Sequence, residues 1–441
     1  MEFAKRMKLL QQLEPLDVTE MTPTNFKVAK ADFLNTPSLN TPCFVYENSR
    51  SHEDERRLLS AAMGIFTDSG AESEAHLSVL QDYAQNICNQ INLLDYMSAY
   101  RSRSVDKDMT LVSLVYGEPE YGTYQALLRN ELQALLTSVA TRTDEASVKQ
   151  LIADHLAPSD DVGETGLFTP KVETVQAFGE LCQKKWSRPL ERVSAMSSFS
   201  SEDVVELLRA IIREDIPEAQ TFQVVLSETK TAMDVSQPKH LIAIPKQRAA
   251  GPFTAEILQR KVIGHELMTH VMRTAWAEVN CPEVAVPLAG YIEFEEGVAK
   301  AVEQALEGIY YPAGAWHYLA IGMAWFDHAT FREVFEAQRT MRFLKSLQAQ
   351  DAADVCEQKF QKATDGAFQC TMRCFRGTNR LPLTKDLCYF NGQQRVWRLI
   401  EKYISSQPEA LWQTLFQSGK TDIMEPSHRR LLDALGLTRI S

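Results

Sequence analysis

The sequence has few of the features that mark secreted, membrane-spanning or nucleic-acid-binding proteins. Residues 1–10 lack the apolar segment of a signal peptide, and no stretch approaches about 18 uncharged apolar residues. Positive charge is in deficit, because 46 Lys and Arg face 58 Asp and Glu, which gives a net charge of −12. We therefore expect a cytoplasmic protein with no membrane span, whose main partner is neither nucleic acid nor an anionic membrane.

Cysteine pairs with metal-site spacing are also lacking. The eight cysteines are scattered along the chain, and although Cys370 and Cys374 lie four residues apart, no nearby second Cys or His pair completes a structural zinc site. In a chain without a secretion signal, this usage indicates reduced thiols rather than a disulfide framework.

The apolar periodicity predicts an α+β chain that is mostly helical. The acidic, glycine-containing stretch Ser159–Gly166 is the best candidate boundary. It would separate a mostly helical N-terminal region, 1–165, from a catalytic region, 166–441. The predicted elements are helices over 53–63, 72–100, 124–156, 171–186, 202–214 and most of 301–435, and strands over 221–227 and 239–245.

The most informative pattern is His265-Glu266-Leu267-Met268-Thr269-His270, in which two imidazoles bracket a carboxylate. In the usual zincin motif, His-Glu-x-x-His, the two histidines share one helix face. Here they are one residue further apart, which on a regular α-helix places them about 140° from each other. A single-turn π-bulge, with about 4.4 residues per turn, reduces that angle to about 50°, and such bulges favour functional sites. The spacing therefore predicts a bulged site helix.

A catalytic zinc site needs a third protein ligand and a carboxylate beside the zinc-bound water. Glu293, Glu295 and Glu296 open the next predicted helix. We take Glu296 as the third ligand and leave open whether Glu293 or Glu295 assists. The expected site then holds Zn²⁺ on His265, His270 and Glu296, with Glu266 as the general base.

The segment before the motif predicts how the site helix begins. Thr254 is a good N-cap residue, and Phe253 is placed to pack against the first turns. Just upstream, residues 239–245 read as a short strand that ends at Pro245. A strand in this position holds an extended substrate backbone by edge pairing in zinc peptidases.

With these motifs in view, the chain resembles the QEGLA-motif family, which includes the microtubule-associated tyrosine carboxypeptidases. The resemblance rests on His265–His270 followed by Arg273, and on Glu295-Glu296-Gly297-Val298-Ala299. Further matching segments are Asn40–Tyr46, Phe375-Arg376-Gly377, Leu383-Thr384-Lys385-Asp386 and Tyr389. The family resemblance implies a zinc carboxypeptidase that removes a C-terminal aromatic residue, with the ligand set and catalytic carboxylate given above. The implied fold is a zincin-like metallopeptidase with a small antiparallel sheet beside a bulged HExxxH helix.

A carboxypeptidase must also bind the free α-carboxylate of its peptide or protein substrate, and Arg or Lys is the natural receptor. Arg376 and Lys385 lie close together in a loop rich in Gly, Asn and Pro, with Thr384 beside them. Tyr389 can donate a hydrogen bond to a developing oxyanion. We expect these four residues to bind substrate or stabilise the transition state. Arg273 is expected to be a structural partner of the site instead.

Two other functions remain open at this stage. The type III dipeptidyl peptidases carry the same His-Glu-x-x-x-His spacing and act from the N-terminus, so their site needs acidic groups for an α-ammonium. Glu293 and Glu295 are candidates for that task. A non-enzymatic regulatory protein with a structural zinc site is the third reading, but a structural site has no need of a carboxylate such as Glu266 beside its ligand.

Overall fold

The computed structural model describes residues 21–46, 74–102, 107–139, 145–155, 167–193, 198–230, 233–237, 239–247, 251–378 and 380–440, with a few positions between 52 and 60. The predicted boundary Ser159–Gly166 lies outside the described residues, as does most of the helix predicted over 53–63.

Helices form most of the described chain, as the sequence predicted. In the first half they are α1 (Phe26–Asn35), α2 (Glu74–Arg101), α3 (Thr110–Tyr116), α4 (Tyr121–Val139), α5 (Glu145–His155), α6 (Val172–Lys185), α7 (Ser187–Glu191) and α8 (Ser201–Asp215). In the second half they are α9 (Ala255–Ile257), a π-helix π1 (Leu258–Val271), α10 (Met272–Asn280), α11 (Tyr291–Glu307), α12 (Ala315–Phe326), α13 (Phe331–Ser346), α14 (Ala353–Phe375), α15 (Leu387–Tyr403), α16 (Pro408–Phe416) and α17 (Pro426–Ala434). The single helix predicted over 124–156 is represented by two, α4 and α5.

Side-chain caps fix where two of these helices begin. The Ser200 hydroxyl accepts from the Asp203 amide, and the Asp203 carboxylate accepts from the Ser200 amide, so α8 starts with a capping box. The Thr254 hydroxyl accepts from the Ile257 amide and starts α9, which runs directly into π1. The predicted N-cap at Thr254 is therefore present.

The strands form two small sheets, and their topology differs from the expected antiparallel sheet. Strands β1 (Ser198–Phe199) and β5 (Phe253–Thr254) pair antiparallel. In the larger sheet, β4 (Leu241–Pro245) lies in the centre, parallel to β2 (Gln223–Ser227) and antiparallel to β3 (Asp234–Ser236). The sheet is thus mixed, because the chain direction reverses from β2 to β3 and again from β3 to β4, and β4 then lies between the other two strands. Its central position also leaves β4 no free edge, whereas β3 is an edge strand among the described residues.

The π-helical part of the site helix is longer than the single π-turn that the histidine spacing predicted. All of π1, from Leu258 to Val271, is π-helical. The Thr269 hydroxyl donates to the carbonyl oxygen of Gly264, five residues earlier, at 2.9 Å. Most of π1 is buried, so tertiary packing stabilises a winding that is rare in isolated helices.

The packing of α11 against its neighbours explains the glycine that follows the paired glutamates. A Cβ on Gly297 would lie 2.3 Å from the carbonyl oxygen of Gly392 on α15, and a Cβ on Gly392 would lie 1.9 Å from that of Glu293. Two helix backbones approach this closely only without side chains at the crossing. On its other side α11 packs on π1, where a Cβ on Gly264 would meet Leu306 and Val302.

The described part of the predicted N-terminal region shares its core with later helices. Leu127 and Leu128 of α4 belong to the same buried cluster as Leu319 of α12 and Phe335 of α13. A second buried cluster surrounds π1, α11 and α15, and includes Ile263, Val298 and Trp397. The division at residue 165 stays a prediction. Within the described ranges, no helix combines the length and apolarity needed to cross a membrane.

The contact between α11 and α15 gives a prediction about stability. Gly297→Ala should lower the free energy of unfolding by about 3 kcal/mol, because the new methyl group would overlap the Gly392 backbone and force the helices apart. Chemical denaturation monitored by circular dichroism measures the change.

Gly366→Ala on α14 is the matched control. Its added methyl group would lie 3.1 Å from Nη1, at the far end of the Arg342 side chain, which needs to move by only a few tenths of an ångström. We therefore expect no loss and a gain of about 0.5–1 kcal/mol from helix propensity. Equal stabilities for the two variants would contradict the proposed close packing.

Candidate metal centre

A cavity of about 620 Å³ lies at the junction of π1, α11, β3 and the start of α15. Residues of all four elements line it, together with the loop before α12 and the last turn of α14. They include Met233, Asp234, Val235, Gln237, Lys261, His265, Glu266, His270, Ile292, Glu295, Glu296, Lys300, Glu303, Tyr311, Ala313, Gly314, His317, Arg373 and Tyr389. The volume is typical of a small-molecule or peptide-end site.

The π-winding brings the two motif histidines together. The ring centroids of His265 and His270 are 5.0 Å apart. One ligand atom each from His265, Glu266 and His270 lies within 4.8 Å of the others, which makes this group a candidate metal site. Glu296, one turn inside α11, places its Oε2 atom 3.8 Å from His265 Nε2.

Each histidine is oriented by a buried carboxylate on α11. His270 Nδ1 hydrogen-bonds to Glu295 Oε1 at 2.7 Å, and His265 Nδ1 lies 2.6 Å from Glu303 Oε1. A carboxylate at Nδ1 favours the tautomer that carries its proton there, which leaves the Nε2 lone pair free to bind a metal. Both imidazoles are therefore held in the form that a cation requires.

Cations keep these two carboxylates ionised despite their burial. Burial raises the pKa of Glu295, but Lys420 and His270 outweigh it and hold that pKa well below its ordinary value. Burial likewise opposes ionisation of Glu303, but His265 and Lys300 lower its pKa to about 2. Both groups are anions throughout the physiological range.

The remaining polar atoms of the cluster fit a divalent cation. Glu296 Oε2 is buried and has no hydrogen-bond partner among the described residues. Glu266 carries a partly exposed side chain whose Oε1 lies 4.0 Å from His265 Nε2. Two imidazole lone pairs and two carboxylates thus lie close together, and neither carboxylate forms an ion pair with an arginine or lysine of the described residues. Such a donor set is destabilised when empty and suits a divalent ion with nitrogen and oxygen ligands.

One wall of the cavity carries an arginine that the sequence analysis did not select. The guanidinium of Arg373 donates to both carboxylate oxygens of Asp386, at 2.7 and 2.6 Å, and lies 5.5 Å from the ring centroid of Tyr389. Negative charge on Glu296, together with burial, raises the pKa of Tyr389 well above its ordinary value. Tyr389 therefore presents a protonated hydroxyl to the cavity, beside a fixed cation.

The expected substrate-binding residues fall into two groups. Tyr389 lines the cavity, whereas Arg376, Lys385 and Thr384 are not among its lining residues. Arg376 ends α14 with a left-handed backbone, φ +47°, and its buried guanidinium reaches the carbonyl oxygen of Met21 at 3.4 Å. The Thr384 hydroxyl donates to the carbonyl oxygen of Gly117 at 2.7 Å. Lys385 is half-buried outside the cavity.

Arg273 has the structural position expected of it. It is fully buried, and its guanidinium donates to the carbonyl oxygens of Leu415, Gly419 and Thr421. Of the residues that the sequence analysis missed, Glu303 had a usable signal, because it lies seven residues after Glu296 and so on the same helix face. Lys420 and Arg373 had no such signal. The partner of Lys420, Glu295, is 125 residues away, and that of Arg373, Asp386, is 13 residues away.

The comparisons with known proteins agree with the motif resemblance. Residues 320–438 match the family model of the microtubule-associated tyrosine carboxypeptidases, which confirms the predicted family resemblance over that segment. No curated protein matches the chain. The matched segment contains Arg373, Tyr389 and Lys420 but neither π1 nor α11. The family match therefore covers two cavity-lining residues, Arg373 and Tyr389, but none of the candidate metal ligands.

The convergence of imidazoles and carboxylates predicts that a divalent metal stabilises the folded protein. Adding metal to chelator-treated protein should raise its melting temperature. At a metal concentration a thousandfold above the dissociation constant, the free energy of unfolding should increase by about 4 kcal/mol. Differential scanning calorimetry with elemental analysis measures both effects.

The variants His265→Ala and Glu296→Ala should lose the metal and the stabilisation. The exposed His328 and the cavity-lining His317 supply controls, because their alanine variants should keep both. Full metal occupancy in the two ligand variants would contradict the site.

Proposed function

We propose that this protein is a zinc-dependent carboxypeptidase that releases a C-terminal aromatic residue from a peptide or protein. The observation that carries the proposal is the joining of two groups in one cavity. One is the group of His265, Glu266 and His270, with Glu296 beside His265; the other is the Arg373–Tyr389 pair. A cation site with an adjacent free carboxylate suits hydrolysis, and a fixed arginine suits a terminal carboxylate.

In this proposal His265 Nε2, His270 Nε2 and the Glu296 carboxylate hold the ion. Their nitrogen and oxygen donors are those that zinc takes in catalytic sites, with one position left for water or substrate. Zinc bound there supplies a Lewis acid that lowers the pKa of water and polarises a carbonyl group.

Glu266 moves the proton. Its carboxylate adjoins His265 and is open to the cavity, so it accepts a proton from the attacking water and then delivers that proton to the nitrogen of the leaving amino acid. The peptide bond is replaced by a new carboxylic acid, which ionises to the carboxylate by releasing its proton to water, and by a free amino group. Glu266 returns to its starting form.

Arg373 and Tyr389 recognise the end of the substrate. Asp386 holds Nε and Nη2 of Arg373 in place, which leaves Nη1 to bind the terminal carboxylate. The Tyr389 hydroxyl is protonated and donates to the carbonyl oxygen as negative charge develops on it. Arg376, Lys385 and Thr384 have no contact role in this proposal, because none of them lines the cavity.

Strand β3 binds the substrate backbone. The edge-pairing role expected of the strand at 239–245 does not suit β4, which is paired on both sides. Met233, Asp234 and Val235, at β3, line the cavity instead, and the free edge of this strand offers backbone donors and acceptors to an extended chain. The aromatic preference rests on the family match rather than on a single contact.

The dipeptidyl peptidase alternative is disfavoured by the charges around the site. Glu293 is paired with Arg395 at 2.6 Å, and the buried Glu295 is paired with Lys420 at 2.7 Å. Neither carboxylate is free to hold an α-ammonium group. A structural zinc site is also disfavoured, because Glu266 lies open to the cavity and, in the part of the chain that the structure describes, forms no ion pair except with His265.

The catalytic base gives the next prediction. Glu266→Gln should retain the metal and the fold but lose about 10²–10⁴-fold in turnover, because an amide cannot accept the proton of water. Release of free amino acid from a peptide library with varied C-termini, read by mass spectrometry, measures the loss. The control is Glu256→Gln, which removes an exposed carboxylate in α9, directly before π1. Turnover by Glu266→Gln at the wild-type rate would rule out this base.

The direction of cleavage gives another prediction. Amidation of the substrate's C-terminus should abolish cleavage by the wild-type enzyme, whereas acetylation of its N-terminus should matter little. Arg373→Lys should lower kcat/KM by about tenfold, since a lost charge-assisted hydrogen bond costs about 1.5–3 kcal/mol and an ammonium cannot reproduce the planar contact.

Combining the two changes separates recognition from folding damage. If Arg373 binds the terminal carboxylate, amidation should cost the Arg373→Lys variant less than it costs the wild type, because the contact is already weakened. The opposite pattern, in which acetylation stops cleavage and amidation does not, would establish the aminopeptidase reading.

A further inference from the structure

A lysine from the C-terminal part of the chain is buried directly behind the candidate metal site. Lys420 lies between α16 and α17, and its side chain is 1% exposed. Its Nζ atom donates to both carboxylate oxygens of Glu295, at 2.7 and 2.8 Å. A buried ammonium is costly unless it is paired in this way, so its position here calls for a reason.

The backbone around Lys420 is fixed to the segment that joins the site helix to α11. The Lys420 amide donates to the carbonyl oxygen of Val284 at 2.7 Å, and the Leu288 amide donates to that of Lys420 at 3.1 Å. The preceding Gly419 has φ +61°, and a Cβ there would lie 2.3 Å from the Val284 carbonyl oxygen. This close approach sets where the Lys420 side chain enters the core.

Glu295 carries the effect of Lys420 to the metal-binding face. Its Oε1 atom also accepts from Gln237 at 3.1 Å and hydrogen-bonds to His270 Nδ1 at 2.7 Å. With Lys420 bound to both oxygens, the carboxylate has a single orientation, and His270 is held with Nδ1 towards it. The ring nitrogen on the opposite side, Nε2, is then directed into the cavity.

Arg273 has a different task from Lys420. Its Nε atom is 3.5 Å from Glu295 Oε2, while its remaining donors reach the carbonyl oxygens of Leu415, Gly419 and Thr421. Arg273 thus anchors the segment that carries Lys420. Lys420 alone makes hydrogen-bond contacts with both oxygens of Glu295.

We propose that Lys420 is a positioning residue, which acts through Glu295 to hold His270 in the orientation and tautomer that bind the metal. The segment at 417–422 is then a support of the metal site, although it supplies no ligand. The metal-affinity part of this inference rests on the proposed function; the effect on His270 does not.

The test uses the full-length chain with Lys420→Met, which keeps the length of the side chain and removes the charge. Zinc affinity is measured by competition with a chromophoric chelator and should fall by about 10–100-fold. The nitrogen chemical shifts of the His270 ring, measured in histidine-labelled metal-free protein, report the tautomer. We expect one Nδ1-protonated form in the wild type and a mixture in the variant. The chain has nine histidines, and His270→Gln assigns the signal.

Two further variants separate positioning from folding. Lys345→Met is the matched control, since Lys345 also bonds both oxygens of a glutamate, Glu131, at 2.9 and 2.7 Å, but at the surface. It should change neither readout. The double variant Lys420→Met/Glu295→Gln removes both members of the Lys420–Glu295 pair, while Arg273 keeps its hydrogen bonds to the carbonyl oxygens of Leu415, Gly419 and Thr421. It should fold even where Lys420→Met does not, again with weakened zinc binding and altered His270 shifts.

The outcomes are distinct. Zinc affinity within threefold of wild type, together with unchanged His270 shifts in a folded variant, would overturn the role of Lys420. If the wild type binds no zinc, the proposed function fails, and the His270 shifts alone decide whether Lys420 positions the ring.

Discussion

The five-residue separation of His265 and His270 constrains how the chain around them can fold. Both imidazoles face one cavity only because π1 is wound with wider turns than an α-helix, and this winding is rare because it is intrinsically less stable. Packing of π1 against α11 compensates for that instability, and the carboxylates of Glu295 and Glu303 hold the two rings. The helix α11 can approach both π1 and α15 because glycines stand at its crossings. The geometry of the site therefore depends on backbone contacts at Gly297 and Gly264 as much as on the histidines.

Charge is distributed around the site in two layers. The carboxylates that orient the histidines each have a cation of their own, Lys420 for Glu295 and Lys300 for Glu303. The carboxylates that face the cavity centre, Glu266 and Glu296, have no lysine or arginine within ion-pair distance in the described part of the chain. A carboxylate beside a cation binds a second cation weakly, since its charge is already neutralised. Only the inner pair is thus available to a metal, which agrees with assigning Glu296, and not Glu295, as a ligand.

Local patterns in the sequence predicted most helices and strands. They indicated site residues only where those residues lie close together in the sequence, as in the motif His265–His270. The capping residue Thr254 and the helix α11 followed from short-range rules of hydrogen bonding and periodicity. The mixed sheet did not, because the sequence does not show that β4 lies between β2 and β3, the two strands that precede it in the chain. The positions of Arg376 and Arg373 likewise depend on the three-dimensional structure. Both lie at the end of α14, but the left-handed backbone of Arg376 turns its side chain towards Met21, while Arg373 remains in the last helical turn and faces the cavity. The two arginines are only three residues apart, and the sequence alone does not show which of them has the left-handed backbone at the end of the helix.

The length of β3 bears on why the proposed enzyme should act at a chain end. Its free edge spans Asp234–Ser236, which offers pairing positions for only a very short stretch of substrate. An endopeptidase gains affinity from backbone pairing over several residues on both sides of the cleaved bond. A short edge cannot supply that affinity, so binding must come from groups that are present once per substrate. The terminal carboxylate is such a group, and an arginine held by two hydrogen bonds to Asp386, as Arg373 is, suits it because charge-assisted hydrogen bonds are strong. A short edge strand together with one fixed cation therefore favours removal of single residues from a C-terminus over cleavage within a chain.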